Sequence, residues 1–285
     1  MEINSNDYEK WIGKMESITD ELTLAPLDAM AATLNKNVTK FQPGDQIPAL
    51  WHWLYFLEPA QQAKIAKDGH PKRGGFLPPI PLPRRMWAGS RLEFISPLHA
   101  GEHVTRKSTI KNIAIKEGKS GLLSFVSVLH KIRTNSGLAL SEEHDIVYRD
   151  KPSSKPSTSS AKKAPNNSDF SNRIIPDPVF LFRYSALTFN GHRIHYDREY
   201  VTKEEGYPGL IVHGPLLATL LIDSFVKHHP SLKIKKFEFK AIYPVFDLYP
   251  FEVCGLHPNS DNEASLWIKD HEENLCMQAK ICGEK

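Results

Sequence analysis

Residues 180–226 read FLFRYSALTFNGHRIHYDREYVTKEEGYPGLIVHGPLLATLLIDSFV, and two kinds of pattern meet in them. Polar, proton-handling side chains (Asn190, His192, His195, Asp197) come first, followed by the turn Gly206-Tyr-Pro-Gly-Leu-Ile-Val-His-Gly-Pro215. Pro215 suits a first helical position, where a missing N–H costs no hydrogen bond. From 216 to 226 the residues are apolar nearly all round, with Thr219, Asp223 and Lys227 forming one narrow polar stripe at i, i+4 spacing. A helix of that kind is buried by structure wrapped around it.

The chain on either side reads as the wrapping. Downstream, 234–242 alternates as a strand, 244–250 is a turn region, and 251–256, 265–269 and 275–281 are three further strands. Upstream, 150–172 is Ser, Pro, Lys and Asn with almost nothing apolar, which predicts a flexible linker. Before it, 91–149 predicts an antiparallel meander: 92–95, 104–117, 122–134 and 138–149, with a hairpin signal at Gly118-Lys-Ser-Gly121. Trp11, Met15, Ile18 and Leu22 stand at helical spacing, so 7–38 is expected to be helical. The aromatic run 51–56 is expected to be a strand and 58–67 a short helix. Residues 68–91 hold so many prolines and glycines that no regular element is expected there. Helix then meander, twice over, predicts an α+β chain of two similar halves, 1–149 and 173–285, divided by the linker 150–172.

At 285 residues and 40% hydrophobic content the chain can bury one large core or two modest ones. Its 36 basic and 33 acidic residues leave a net charge of +3, which eases the approach of an anionic ligand and is too small to indicate nucleic acid. Three cysteines (Cys254, Cys276, Cys282) cannot all pair and lack C-x-x-C spacing, as expected of reduced thiols in a cytoplasmic protein without a zinc site. The N-terminal MEINSNDYEKWIGKME is neither a secretory signal nor an Arg-rich transit peptide. The longest apolar run, 209–226, is interrupted by His213, Gly214, Pro215 and Asp223, so it is expected to be a core helix and not a membrane span. Glu142-Glu-His-Asp145 has metal-ligating residue types, but neighbours on a strand point to opposite faces, so a structural role is expected. No metal or cofactor is expected.

Asn190-x-x-x-x-His195-x-Asp197, followed by Gly-Leu-Ile-Val-His-Gly-Pro and the apolar helix, resembles the hydratase motif of the MaoC-like hot-dog superfamily along the whole of 180–226. The resemblance implies a double hot dog, two curved antiparallel sheets each wrapping a central helix. It also implies an Asp–His pair that hydrates or dehydrates an acyl thioester. His195 matches the catalytic histidine, and histidine is the natural base near neutral pH. Asn190 stands where the family has Asp; an amide holds water but exchanges no proton. His195 is therefore expected to carry both proton steps, or to be helped by His192. Donors to the thioester oxygen are expected around His213 and Gly214, with Val212 in the same turn, where a helix N-terminus favours negative charge.

Leu50-Trp-His-Trp-Leu-Tyr-Phe56, Asp68-Gly-His-Pro71, Gly74-Gly-Phe-Leu-Pro-Pro79 and Pro81-Leu-Pro-Arg-Arg-Met-Trp-Ala-Gly89 resemble one branch, the 3-methylfumaryl-CoA (mesaconyl-C4-CoA) hydratases, relatives of mitochondrial 3-hydroxyacyl-thioester dehydratases. This implies addition of water to a branched C5 dicarboxylyl-CoA, mesaconyl-C4-CoA or itaconyl-CoA, to give citramalyl-CoA in itaconate breakdown, by a homodimer. A free acyl carboxylate needs a cationic partner, and Arg84, Arg85, Arg183 and Arg193 are the candidates. Arg84 and Arg85 are favoured because they neighbour Trp87, a candidate wall of the acyl pocket. Three other readings stand beside this one. A fatty-acyl 3-hydroxyacyl-thioester dehydratase would have an apolar tunnel. A hot-dog thioesterase would want a carboxylate where Asn190 stands. An acyl-CoA-binding scaffold would need no turnover.

Overall fold

The computed structural model describes residues 5–37, 40–118, 121–150 and 161–285. Ten strands form one antiparallel sheet in the order β1-β3-β4-β5-β2-β7-β10-β9-β8-β6. The N-terminal half supplies β1 (Met15–Glu21), β2 (Arg84–Phe94), β3 (His103–Gly118), β4 (Gly121–Thr134) and β5 (Gly137–Arg149). The C-terminal half supplies β6 (Phe170–Ile174), β7 (Lys233–Ala241), β8 (Phe251–Gly255), β9 (Glu263–Lys269) and β10 (Leu275–Glu284). The halves therefore share a single sheet, joined where β2 pairs with β7. Gly89 is required at that seam, because a Cβ there would stand 2.4 Å from the Phe239 carbonyl oxygen.

The alternation in β4 and β5 makes one wet face and one face turned to the core. Against the core face of the C-terminal half lies α4 (Gly214–His228), with Leu216, Leu217, Leu221, Ile222 and Phe225 buried. Its polar stripe is used internally: the Thr219 hydroxyl donates to the Pro215 carbonyl at 2.9 Å, and Asp223 pairs with Lys36 of the other half at 3.0 Å. The remaining helices are α1 (Leu24–Thr33), α2 (Pro178–Leu187) and α3 (Arg198–Lys203).

Five expectations are corrected. Residues 7–38 are not helical throughout: Ser5–Trp11 is a 3-10 turn, Met15–Glu21 is edge strand β1, and Leu24–Thr33 is α-helical. Met15, Ile18 and Leu22 do match helical spacing, but Ser17, Thr19 and the alternating polar residues suit an edge strand pairing with β3. Trp51–Leu54 is a 3-10 turn, entered through Leu50 at φ 70, with Trp51 and Leu54 buried. The expected helix at 58–67 contracts to a turn at Gln62–Lys64. Arg84–Trp87 opens strand β2, since the prolines stop at Pro83 and the backbone N–H groups beyond can pair with β5. Of the expected linker, 151–160 lies outside the described residues. The rest is structured: Lys163 bridges to Asn274, Ala164 and Phe170 are buried, and β6 begins at Phe170. Residues 119–120 of the hairpin also lie outside the described residues, though Gly118 pairs with Gly121 across it.

Candidate active site

Helix α2 leads into the loop that carries Asn190 and His195. Asp177 caps it, accepting from the N–H groups of Val179 at 2.8 Å and Phe180 at 3.0 Å, and Pro178 occupies its first turn. The helix stops at Thr188, and Phe189 turns the chain at φ 48. Asn190 follows, its Oδ1 accepting the His192 N–H at 3.0 Å. A 3-10 turn at Arg193–His195 then presents His195. Asp197 handles no proton: it caps α3 through Tyr200 N–H at 3.0 Å and pairs with Arg193 at 2.7 Å.

His195 is held in one orientation. Its Nδ1 lies 2.7 Å from the Ile211 carbonyl, which can only accept, so Nδ1 carries the proton and the Nε2 lone pair is free. Burial pushes its pKa down to about 4, so the ring is neutral near pH 7. Beneath it lies His213, stacked with centroids 3.7 Å apart and bonded through Nε2 to Ser185 Oγ at 2.8 Å. His213 is fully buried, burial holds its pKa well below the ordinary value, and its ring packs beneath His195. Val212 likewise has its side chain in the core, and its N–H donates to the Val245 carbonyl at 2.9 Å.

Gly214 opens α4, so its N–H has no intrahelical acceptor, and Pro215 has none to offer. A Cβ at Gly214 would meet nothing nearer than the Trp87 carbonyl oxygen at 3.9 Å. Packing of the chain therefore does not require glycine there, and the space in front of the helix N-terminus is open.

A cavity of about 280 Å³ lies between the halves and reaches Asn190 and Pro215. Trp53, Trp87 and Tyr184 wall it, and Glu142 with His52 and His144 forms its polar floor. Glu142 is buried, with its carboxylate 3.0 Å from His52 Nε2, 2.6 Å from His144 Nε2 and about 3.1 Å from Trp53 Nε1. Burial opposes its ionisation, but these partners outweigh burial and hold the carboxyl well below the ordinary carboxylate range. Glu143 and Asp145 point to the opposite face and bind Arg91. Strand alternation thus separates the four residues into two pairs, and the inner pair lines a cavity that a reading of neighbours alone misses.

The two candidate arginines part company. Arg84 is spent: its Nε lies 2.9 Å from Glu205 Oε2 and its other nitrogens reach the Glu205 carbonyl and the Tyr207 hydroxyl. Arg85 lies beside the Tyr148 hydroxyl, and among the described residues it has no carboxylate partner. Arg193 is committed to Asp197. Folding brings Asp68 and His70, distant in sequence, to His192, with the His70 and His192 ring centroids 4.0 Å apart.

A buried helix under a curved antiparallel sheet, with a neutral imidazole near its N-terminus, is the arrangement of a double hot-dog chain. The sequence profile of the hydroxyacyl-thioester dehydratase type 2 family matches residues 50–247. The chain is 46% identical to the mesaconyl-C(4)-CoA hydratase of Chloroflexus aurantiacus, over 91% of this chain and 92% of that one. In solved structures it is similar to a MaoC-like dehydratase from Phytophthora capsici (TM-score 0.68, 14% identity, covering 99% and 98% of the two chains). It is also similar to a double hot-dog protein from Mycobacterium tuberculosis (TM-score 0.58, 11% identity, 96% of each chain). The chain belongs to the hydroxyacyl-thioester dehydratase type 2 family, and it is an enzyme of the hydro-lyase class. Among the described residues no helix is long and apolar enough to cross a membrane.

Proposed function

We propose that this enzyme adds water to the double bond of a branched C5 dicarboxylyl-CoA, mesaconyl-C4-CoA or itaconyl-CoA, to give citramalyl-CoA. The observation that carries the reading is the pairing of a neutral His195, its Nε2 lone pair free, with an open glycine at the start of α4. The thioester oxygen lies toward the Gly214 N–H, where the helix dipole meets the charge that develops on it. Water sits between His195 Nε2 and the Asn190 carboxamide. In mesaconyl-C4-CoA, whose double bond is conjugated with the thioester, the water oxygen bonds to the β-carbon while the π electrons move to the thioester oxygen, and Nε2 takes the proton released. The same nitrogen then returns that proton to the α-carbon as the enolate collapses. One imidazole thus carries both transfers, and Asn190 only positions water. The double bond of itaconyl-CoA must first move into that conjugation, by loss of a proton from the α-carbon and its return to the terminal methylene.

The relative's substrate and the unpaired Arg85 support the dicarboxylyl acyl group. Dehydration of a long-chain 3-hydroxyacyl thioester is a second reading, favoured by the family profile. The ionised floor at Glu142 opposes it, since an alkyl chain there would strip a buried charge of its surroundings. Three unpaired cysteines suit a cytoplasmic setting, and a homodimer is the assembly the resemblance implies. The test is to mix purified enzyme separately with mesaconyl-C4-CoA, itaconyl-CoA and crotonyl-CoA, following loss of enoyl-thioester absorbance and product mass. Faster turnover of the C5 dicarboxylyl thioesters is expected; preference for crotonyl-CoA would overturn the substrate assignment.

A further inference from the structure

Two loops from opposite halves are locked together beside His195. Gly69, at φ +90, approaches Gly191 so closely that a Cβ on Gly69 would stand 1.8 Å from the Gly191 carbonyl oxygen. The Arg193 N–H donates to the Asp68 carbonyl at 2.9 Å and completes the contact. The lock carries His70 to His192, and His192 stands edge-on to His195 with ring centroids 5.5 Å apart. Asp68 holds His70 twice, through Nδ1 at 3.0 Å and the backbone N–H at 3.0 Å. Arg85 lies within electrostatic reach of both imidazoles.

Charge at this place does not balance. Among the described residues, Arg73 and Arg85 bring two positive charges to the His70 neighbourhood against the one negative charge of Asp68. Arg73 is tied to the carbonyls of Ile80 and Pro83, which carry no charge. Among the described residues the His192 ring makes no hydrogen bond, and Arg85 meets only the Tyr148 hydroxyl. A half-buried guanidinium and a free imidazole next to the base are an incomplete set of partners for an anion. A cation is disfavoured. The ligand atoms of Asp68, His70 and His192 do lie within 4.8 Å of one another, but Asp68 is spent on His70 and Arg85 repels a metal ion.

We propose that Arg85 and His192, with His70 fixed by Asp68, form the subsite for the free carboxylate of the acyl group. The proposal rests on the dicarboxylyl-thioester reading given above. In mesaconyl-C4-CoA that carboxylate is bonded to the β-carbon, so its oxygens lie about 2.4 Å from the atom that water attacks. The subsite must therefore adjoin His195, as His192 does. The cavity on the Asn190 side takes the uncharged branch, because the ionised Glu142 repels a second carboxylate. His70 and Asp68 come from the N-terminal half, so acyl selection at the catalytic loop depends on both halves.

The experiment compares kcat/KM for mesaconyl-C4-CoA and for crotonyl-CoA, which lacks the carboxylate, in wild type, Arg85→Gln, Arg85→Lys and His70→Gln. Arg85→Gln is expected to lower the dicarboxylyl-to-crotonyl ratio about 100-fold, mainly through KM for the dicarboxylyl thioester. Arg85→Lys, which keeps the charge, is expected to recover the ratio to within about 10-fold of wild type, and His70→Gln to lower it about 10-fold. A ratio unchanged in Arg85→Gln, or equal in the Lys and Gln variants, overturns the subsite. Wild type inactive on the dicarboxylyl thioesters overturns the substrate reading itself, and the subsite with it.

Discussion

At the scale of single residues, the chemistry follows from which atoms are already occupied. His195 has Nδ1 committed to the Ile211 carbonyl, so only Nε2 can act. His195→Ala is expected to lower kcat by about 10³-fold or more while the melting temperature stays within a few degrees of wild type. Near-normal turnover by that variant would rule out the mechanism. Because the base must be neutral and burial sets its pKa to about 4, kcat/KM should hold from neutral pH downward and fall only as pH drops through about 4. An acid limb near pH 6.5, the ordinary histidine value, would show His195 to be solvated or not the base. Gly214→Ala separates ligand space from folding, since the added methyl meets nothing of the chain within 3.9 Å. It should fold normally and lose about 10²-fold in kcat/KM as the methyl crowds the thioester. The Asn190–His195 spacing and the glycine turn were readable in the sequence because residue type and separation survive folding. The occupations of Arg84, Val212 and His213 were not, because Glu205, Val245 and Ser185 are brought to them only by tertiary contact.

At the scale of elements, strands were easier to read than the N-terminal segments. The meander β3–β5 announces itself by alternation and glycine turns. Residues 15–21 do not, because an edge strand carries few apolar residues, and these happen to recur at helical intervals. The aromatic run at 51–54 has strand composition, yet it folds as a turn that buries Trp51 and Leu54 and points His52 and Trp53 at Glu142. Tertiary burial overrode propensity there. The loop lock makes an element-scale prediction. Gly69→Ala puts a methyl against the Gly191 carbonyl at a positive φ, so the two loops must separate. Activity on a dicarboxylyl thioester should fall at least about 10-fold, with about 2 kcal/mol of stability lost. Gly13→Ala, also at positive φ but with nothing within 4 Å, should cost about 1 kcal/mol and leave kcat/KM unchanged. Equal effects on activity from the two variants would mean that the lock does not position the site.

At the scale of the whole molecule, the seam between the halves gathers buried and half-buried histidines that stay neutral. His195 and His192 have pKa values pushed down to about 4 and about 2, and those of His130 and His213 are held well below the ordinary value, in each case chiefly by burial. In the unfolded chain these rings titrate near pH 6.5. Between that value and each folded value the unfolded state binds more protons, so lowering the pH favours unfolding. The stability these rings contribute is complete above about pH 6.5 and declines as pH falls toward the folded values, by about 1.4 kcal/mol per pH unit for each neutral ring. Asp68 and Glu142, whose folded pKa values are lowered, add their own loss only below about pH 4.5. Urea unfolding midpoints measured from about pH 7.5 to about 4.5 should therefore be level at first and then fall steeply below about 6.5, well before Asp68 and Glu142 titrate. A midpoint that stays flat down to about pH 5 would mean that the rings at the seam are hydrated, and the closed packing around His195 would have to be abandoned.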